Sequence, residues 1–307
     1  MSTCPAVVAG TSHRTVINRT LIFTGARSQD GRIETGRASL LKYYGDGLPV
    51  TQMTSIKSSF EAVKLIVSGN AAYNVRLAGS PEEIRAAQAL RFAVFNLELN
   101  EGLTESYATG LDADPFDAVC DHLLVEHTPT KEIVGTYRLQ TGTNAAARLG
   151  YYSAQEFDFV PFEPMRAELI ELGRACVHKL HRNMSVLGLL WKGIADYAQA
   201  RGARYLCGCS SLTSQDPAIG ASAYAQLCRK HLAPTEWRTQ PLAICECPME
   251  HLAAEPVKIP KLLRAYLNVG GKICGPPAID RQFKTIDFLT WLDIAALPPA
   301  VHSRYVV

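Results

Sequence analysis

Glu171-Leu-Gly-Arg174 sets an acid and an arginine inside an apolar run of Leu169, Ile170, Leu172, Ala175, Cys176 and Val177. A charge taken into a core alone is costly, so the two are expected to pair. Strand alternation puts positions 171 and 174 on opposite faces. A bulge at Gly173 brings them to one side and frees a backbone N–H, a donor suited to the oxyanion of an attacked thioester. The carboxylate has the chemistry of a general base, the guanidinium that of a bidentate carboxylate holder.

Other groups have chemistry of their own. Arg91 and Phe95 lie four apart on a helical pattern and share a face, where a guanidinium can hold an anion while the ring walls an apolar tunnel; a solvated arginine above a core ring fits the same spacing. Asp112, Asp114, Asp117 and Asp121 crowd one loop, as ligands for a cation or an ammonium group or as solvated acids. Their spacing and Pro115 exclude an EF-hand. His178, Lys179, His181 and Arg182 precede a helix start, and a basic turn at a helix N-terminus suits an anion. Cys207-Gly-Cys209 and Cys245-Glu-Cys247 could gather four thiolates only if their strands were adjacent. Small apolar residues in buried strands are the preferred reading, and no metal is expected.

The elements that must position these residues follow from periodicity. Val75-Arg-Leu-Ala reads as a strand. Ser80, Pro81 and Glu83 start a helix whose stripe is Ile84, Ala87, Leu90 and Val94, and a polar connection runs from Asn96 to Ala118. His122 to Glu126 and Ile133 to Leu139 form a hairpin, and Glu168 to Val177 a central strand. Ser185 caps a helix to about Arg201, stopped by Gly202. A strand at Tyr205–Ser210, a helix at Ile219–Lys230, a strand at Leu242–Cys247, an amphipathic helix over 260–272 and a closing strand at Phe288–Ile294 complete the order. It predicts an α/β (α+β) mixed sheet flanked by helices. Residues 1–73 read as a poorly structured or accessory extension, or a small subdomain around Phe60 to Val67; 74–252 read as the core, and 253–307 as its completing segment.

Composition narrows the class. The 307 residues are 47% hydrophobic and carry a net charge of +2, which argues against a nucleic-acid binder. Nine cysteines without a secretory signal read as reduced thiols, so a cytoplasmic protein is expected. No stretch reaches the roughly 20 apolar residues of a spanning helix, which leaves contact peripheral to the inner membrane, for instance through Lys261 to Leu267.

Arg91-Phe-Ala-Val-Phe95, Asp114-Pro-Phe-Asp117, Arg138 and Glu171-Leu-Gly-Arg174 together resemble the ordered motifs of acyl-homoserine lactone synthases, with Gly173 in place of a serine. Asp114 to Val125 and Gly275 to Phe288 are similar to the bacterial ornithine Nα-acyltransferases, often labelled hemolysin-like. The resemblance spans about residues 74–295. It implies a GNAT-type fold with a splayed central strand pair, no bound cofactor, and the acyl-phosphopantetheine of acyl carrier protein as donor. The acceptor is an amino acid, with ornithine favoured over glycine, lysine or an aromatic one; a non-catalytic acyl-binding or membrane-interaction protein is the alternative. In that frame Glu171 is the base, with Asp117 behind it. Arg174, Arg91 or Arg138 holds the substrate carboxylate, Phe95 and Asp114 complete the substrate site, and Tyr224 protonates the leaving thiolate. Nucleotide-binding GNAT enzymes have small residues in the turn before the helix. Here Lys179, Arg182, Asn183 and Ser185, with Leu187, fit a carrier-borne pantetheine better. Asp280, Phe283, Thr285 and Asp287 fall in the resembling stretch, and either shape the amine site or lock the closing strand.

Overall fold

The computed structural model describes residues 68–305; the expectations for residues 1–67 lie outside them. Nine strands form one mixed sheet: β1 (Ser68–Gly69), β2 (Tyr73–Leu77), β3 (Asp121–His127), β4 (Ile133–Thr141), β5 (Leu169–Val177), β6 (Tyr205–Leu212), β7 (Lys272–Ile273), β8 (Ala278–Asp280) and β9 (Thr285–Asp293). Their order is β1-β2-β3-β4-β5-β6-β9-β7, with β8 also on β9. The α-helices among the described residues are α1 (Pro81–Phe92), α2 (Gly142–Ala147), α3 (Met184–Ala200), α4 (Pro217–His231), α5 (Lys261–Asn268) and α6 (Pro299–Tyr305).

The feature that makes a site is the join of β5 to β6. All neighbouring pairs are antiparallel except this one, which pairs only Leu169↔Tyr205, Ile170↔Leu206 and Glu171↔Cys207 before the strands part. Two local causes are visible. β5 carries one residue more than β4 between the pairs Arg138↔Gly173 and Thr136↔Cys176, a bulge that bends it away. Its distortion falls at Arg174, which takes φ +48°, rather than at Gly173. At the parting point a Cβ on Gly208 would lie 2.1 Å from the Leu172 carbonyl oxygen, so only glycine allows β6 to pass there.

Helix α1 begins as the sequence predicts, with the Ser80 hydroxyl accepting from Glu83 N at 3.4 Å and Pro81 at the first position. It then widens into a π-helical stretch, Ala93–Glu98. Helix α3 is capped by Asn183, whose side chain accepts from Val186 N, and not by Ser185. Leu242–Cys247 is no strand: Pro241 and Pro248 flank a 3-10 turn at Ala243–Cys245, leaving isolated bridges Phe157↔Pro241 and Glu246↔Ala278. α5 ends at Asn268 because Gly270, at φ +108°, and Gly271 break the helix before β7. Its Leu263 and Leu267 are buried with Leu227, Ile273 and Phe288, while Leu262 is exposed.

Three apolar clusters hold the sheet. Val75, Leu123, Leu139, Ile170 and Leu206 pack under Val186, Leu190 and Ile194 of α3. Tyr151, Phe157, Phe162 and Trp291 fill the opposite face, where Phe162 stacks on Trp291 at 5.1 Å between centroids. Leu212, Ile286 and Phe288 pack beneath α4 and α5. Among the described residues no helix is long and apolar enough to cross a membrane.

Candidate active site

The split between β5 and β6 opens a cavity of about 250 Å³. Cross-strand partners share a face of a sheet, so the pairing assigns its lining to two sides. Arg138↔Gly173, Gln140↔Glu171, Glu171↔Cys207, Cys209↔Leu289 and Ser211↔Asp287 put Arg138, Glu171, Cys209 and Asp287 on one face. Leu139↔Leu172 and Leu206↔Leu292 lie on the other, where Leu263 and Tyr266 of α5 close the cavity. One side carries the charged groups; the other is mainly apolar, with the hydroxyls of Ser210 and Thr290 bonded to each other.

The acidic loop and the arginines form a buried network on the polar side. Arg91, wholly buried, donates from Nε to Asp112 Oδ1 at 2.7 Å and from Nη2 to Asp117 Oδ2 at 2.6 Å. Arg138 Nη1 reaches Asp114 Oδ1 at 2.6 Å and Asp117 Oδ1 at 3.1 Å. Arg174 Nη2 donates to Asp114 Oδ2 at 2.9 Å and to the Tyr152 hydroxyl at 3.2 Å, and its Nε lies 3.3 Å from Asp112. Three positive and three negative charges therefore cancel out of solvent, the condition under which such burial is tolerated. The Asp114 side chain caps the turn at Pro115–Ala118, which fixes the loop. Burial alone would raise the Asp117 carboxyl, but the Arg91 and Arg138 charges overcome it and hold the group well below the usual carboxylate range. Asp121 stands apart, bonded to the Tyr197 hydroxyl at 2.7 Å and paired with Arg201.

The expected Glu171–Arg174 ion pair is absent. Glu171, buried, accepts instead from Ser153 N at Oε1 (2.7 Å), and from Tyr152 N (2.8 Å) and Gln140 Nε2 (3.0 Å) at Oε2. The bulge leaves Arg174 directed at the aspartates, its guanidinium lying between the rings of Tyr152 (4.6 Å) and Phe283 (4.2 Å). Arg138 and Arg174 line the cavity, and Arg138 Nη2 is buried with no partner among the described residues. Arg91, Asp114 and Asp117 do not line it and act as the support behind. Phe95 lies on the wall, edge-on to Phe283 at 6.3 Å. Tyr224 packs in the cluster beneath α4 and does not line the cavity.

In the basic turn, Arg182 is held by Glu98 through two bonds of 2.6 and 2.8 Å and by the Val177 carbonyl. Asn183 caps α3 and donates to the Tyr73 hydroxyl, and Ser185 accepts from Asn70. Lys179 is exposed, next to exposed Leu180 and close in sequence to exposed Met184.

Sequence reasoning missed two acids. Glu101, buried, has its carboxyl raised by that burial, bonds Thr213 and lines the cavity. Its place in a polar loop gave no sign. Glu156, Cys209 and Asp287 each offer an atom within 4.8 Å of the others, because the 3-10 turn at Ser153–Gln155 sets Glu156 against two strands. Burial, with Asp287 and Asp280 beside it, raises Glu156 well above the usual range, and burial raises Asp287 to about 6. The four thiols of Cys207, Cys209, Cys245 and Cys247 do not gather; Cys247 belongs to a different cluster from the others.

A mixed sheet split between two central strands, over a cavity charged on one side and mainly apolar on the other, is the architecture of a GNAT-type acyltransferase, and residues 90–192 match the acetyltransferase (GNAT) domain. The chain is 36% identical over 246 residues to the L-ornithine Nα-acyltransferase of Rhodobacter capsulatus, covering 76% of this chain and 94% of that one. It is 34% identical to the L-ornithine Nα-acyltransferase of Brucella abortus, covering 76% of this chain and 86% of the relative. A solved N-acyl amino acid synthase from uncultured soil microbes is similar at 14% identity over 73% of this chain and 91% of that one, with a TM-score of 0.43. The chain belongs to the L-ornithine Nα-acyltransferase family.

Proposed function

We propose that the protein transfers a long, 3-hydroxylated acyl group from the phosphopantetheine thioester of acyl carrier protein to the α-amine of ornithine, giving lyso-ornithine lipid. The observation that carries this reading is the two-sided cavity, which offers an apolar wall to an acyl chain and arginines and carboxylates to a zwitterion.

The chemistry follows from the residues around the split. The acceptor carboxylate is held by Arg138, through its unpartnered Nη2, and by Arg174. The α-ammonium loses a proton before attack, and Glu171 takes it, directly or through a water. Among the described residues its Oε1 accepts a single N–H, which leaves acceptor capacity on a residue of the cavity wall. A backbone N–H of the β5 bulge stabilises the oxyanion as the nitrogen bonds to the thioester carbon and the carbon–sulfur bond breaks. Asp117 is too firmly held by arginines to act as a base and supports Arg138 instead. The second proton leaves the nitrogen as the amide forms and passes through water to the thiolate, which departs toward the basic turn. The carrier docks there on Lys179, with Leu180 and Met184 as apolar anchors, while Arg182, Asn183 and Ser185 keep the turn in shape.

A thiol-release assay tests the reading. 3-Hydroxyacyl carrier protein should lose its thioester only when ornithine and the protein are both present, and Lys179→Glu should lower the rate by about tenfold at limiting carrier. Release at an equal rate without any amine would point to hydrolysis in place of transfer, and no release with any amine would favour the acyl-binding alternative.

A further inference from the structure

The polar side of the cavity carries groups of both signs: Arg138 and Arg174 line it, and so do Asp287 and Asp280. Asp287 is only 4% exposed and Glu156 behind it 5%; Asp287 Oδ1 and Glu156 Oε2 receive no N–H among the described residues, and the two carboxyls share a proton that burial keeps on Glu156. Among the described residues no lysine or arginine pairs with either, in contrast to Asp112, Asp114 and Asp117, all of which are matched. A buried carboxylate that faces the cavity without a counter-charge, as Asp287 does, is a standing cost that a cationic ligand removes. Asp280 adds a second carboxylate: its Oδ1 accepts from Gln282 N at 2.7 Å and Phe283 N at 3.0 Å, which fixes its carboxylate at the wall.

We propose that Asp287, backed by Glu156 and flanked by Asp280, forms the subsite for the side-chain ammonium of the acceptor amino acid. The inference rests on the acyl-transfer reading and assigns what selects the acceptor. An amino acid held by its carboxylate at Arg138 and Arg174 spans the cavity with a short methylene chain and places its terminal ammonium at Asp287. The α-amine is then left at the strand split, where the thioester arrives, and the terminal amine is withheld from acylation by its ion pairs. Acceptor choice and regiochemistry therefore come from one contact.

The ratio of kcat/KM for ornithine to that for norleucine, its uncharged counterpart, tests the subsite. Wild-type protein should favour ornithine strongly, and Asp287→Asn should cut the ratio by at least about tenfold, chiefly through the KM for ornithine. Asp280→Asn, which keeps the acceptor for the turn N–H groups, should cut it about threefold; this second variant decides the matter if Asp287→Asn does not fold. A wild-type ratio near unity, or ratios unchanged in folded variants, would overturn the subsite while leaving acyl transfer intact. Stoichiometric metal in the purified protein, lost in Glu156→Gln, would overturn it by assigning Glu156, Cys209 and Asp287 to an ion. Failure to acylate ornithine at all would instead remove the functional reading beneath it.

Discussion

Each charged residue near the cavity is defined by what it is bonded to. Asp117 accepts from Arg91, Arg138 and Gln88, so Asp117→Asn leaves buried arginine charge uncompensated. We expect a loss of about 3 kcal/mol in a denaturant titration, with activity falling in the folded fraction as Arg138 drifts. Glu171→Gln should lower both kcat and thermal stability, because an amide N–H would face the donors Ser153 N, Tyr152 N or Gln140. A variant inactive but as stable as wild type would show that those bonds hold little. The sequence made these residues legible as a set, since acids and arginines inside apolar runs must find partners. It did not reveal which partners, because Glu171 and Arg174 sit three apart on one strand yet answer to loops far along the chain. Arg91 shows the same limit: a helical spacing fits a solvated arginine, and only the folded loop makes it a buried one.

At the scale of elements, the site exists because two strands part. Gly208→Ala would drive a methyl into the Leu172 carbonyl and push β6 off β5 at the split. We expect about 2 kcal/mol of destabilisation and a raised KM for the acyl donor, read from unfolding curves and initial rates. Strands and helices with clean periodicity, such as α1, β3, β4, α3 and α4, were legible in the sequence within a few residues. Leu242–Cys247 was not, since an apolar run reads as a strand until the prolines on both sides deny it a ladder. The bulge was expected one residue early, because glycine signals the freedom to distort and Arg174 takes the strain instead. Short strands such as β7 and β8 have too few residues to show a period.

Across the whole molecule, two groups of acids pull stability in opposite directions. Asp117, held low by arginines, contributes stability that is full above about pH 4 and lost as pH falls toward its depressed value. Asp287, raised to about 6 by burial, contributes in the opposite sense: its share is full below about pH 4 and lost as pH rises through 6. Asp280 presses it further, while hydrogen bonds from Ser211, Thr285 and Glu156 pull it back, so the trend is a property of the cluster. Bound ornithine should replace the lost protons with its ammonium. Its stabilising shift in Tm should therefore be larger at about pH 8 than at about pH 5, by differential scanning fluorimetry; equal shifts would place the ammonium elsewhere. The family assignment, the split sheet and the two-sided cavity converge on one reaction, and the product itself tests that most directly. Incubation with 3-hydroxyacyl carrier protein and ornithine, followed by tandem mass spectrometry, should give an amide on the α-nitrogen with the terminal amine free, while an amide on the terminal nitrogen, or none, would contradict the account.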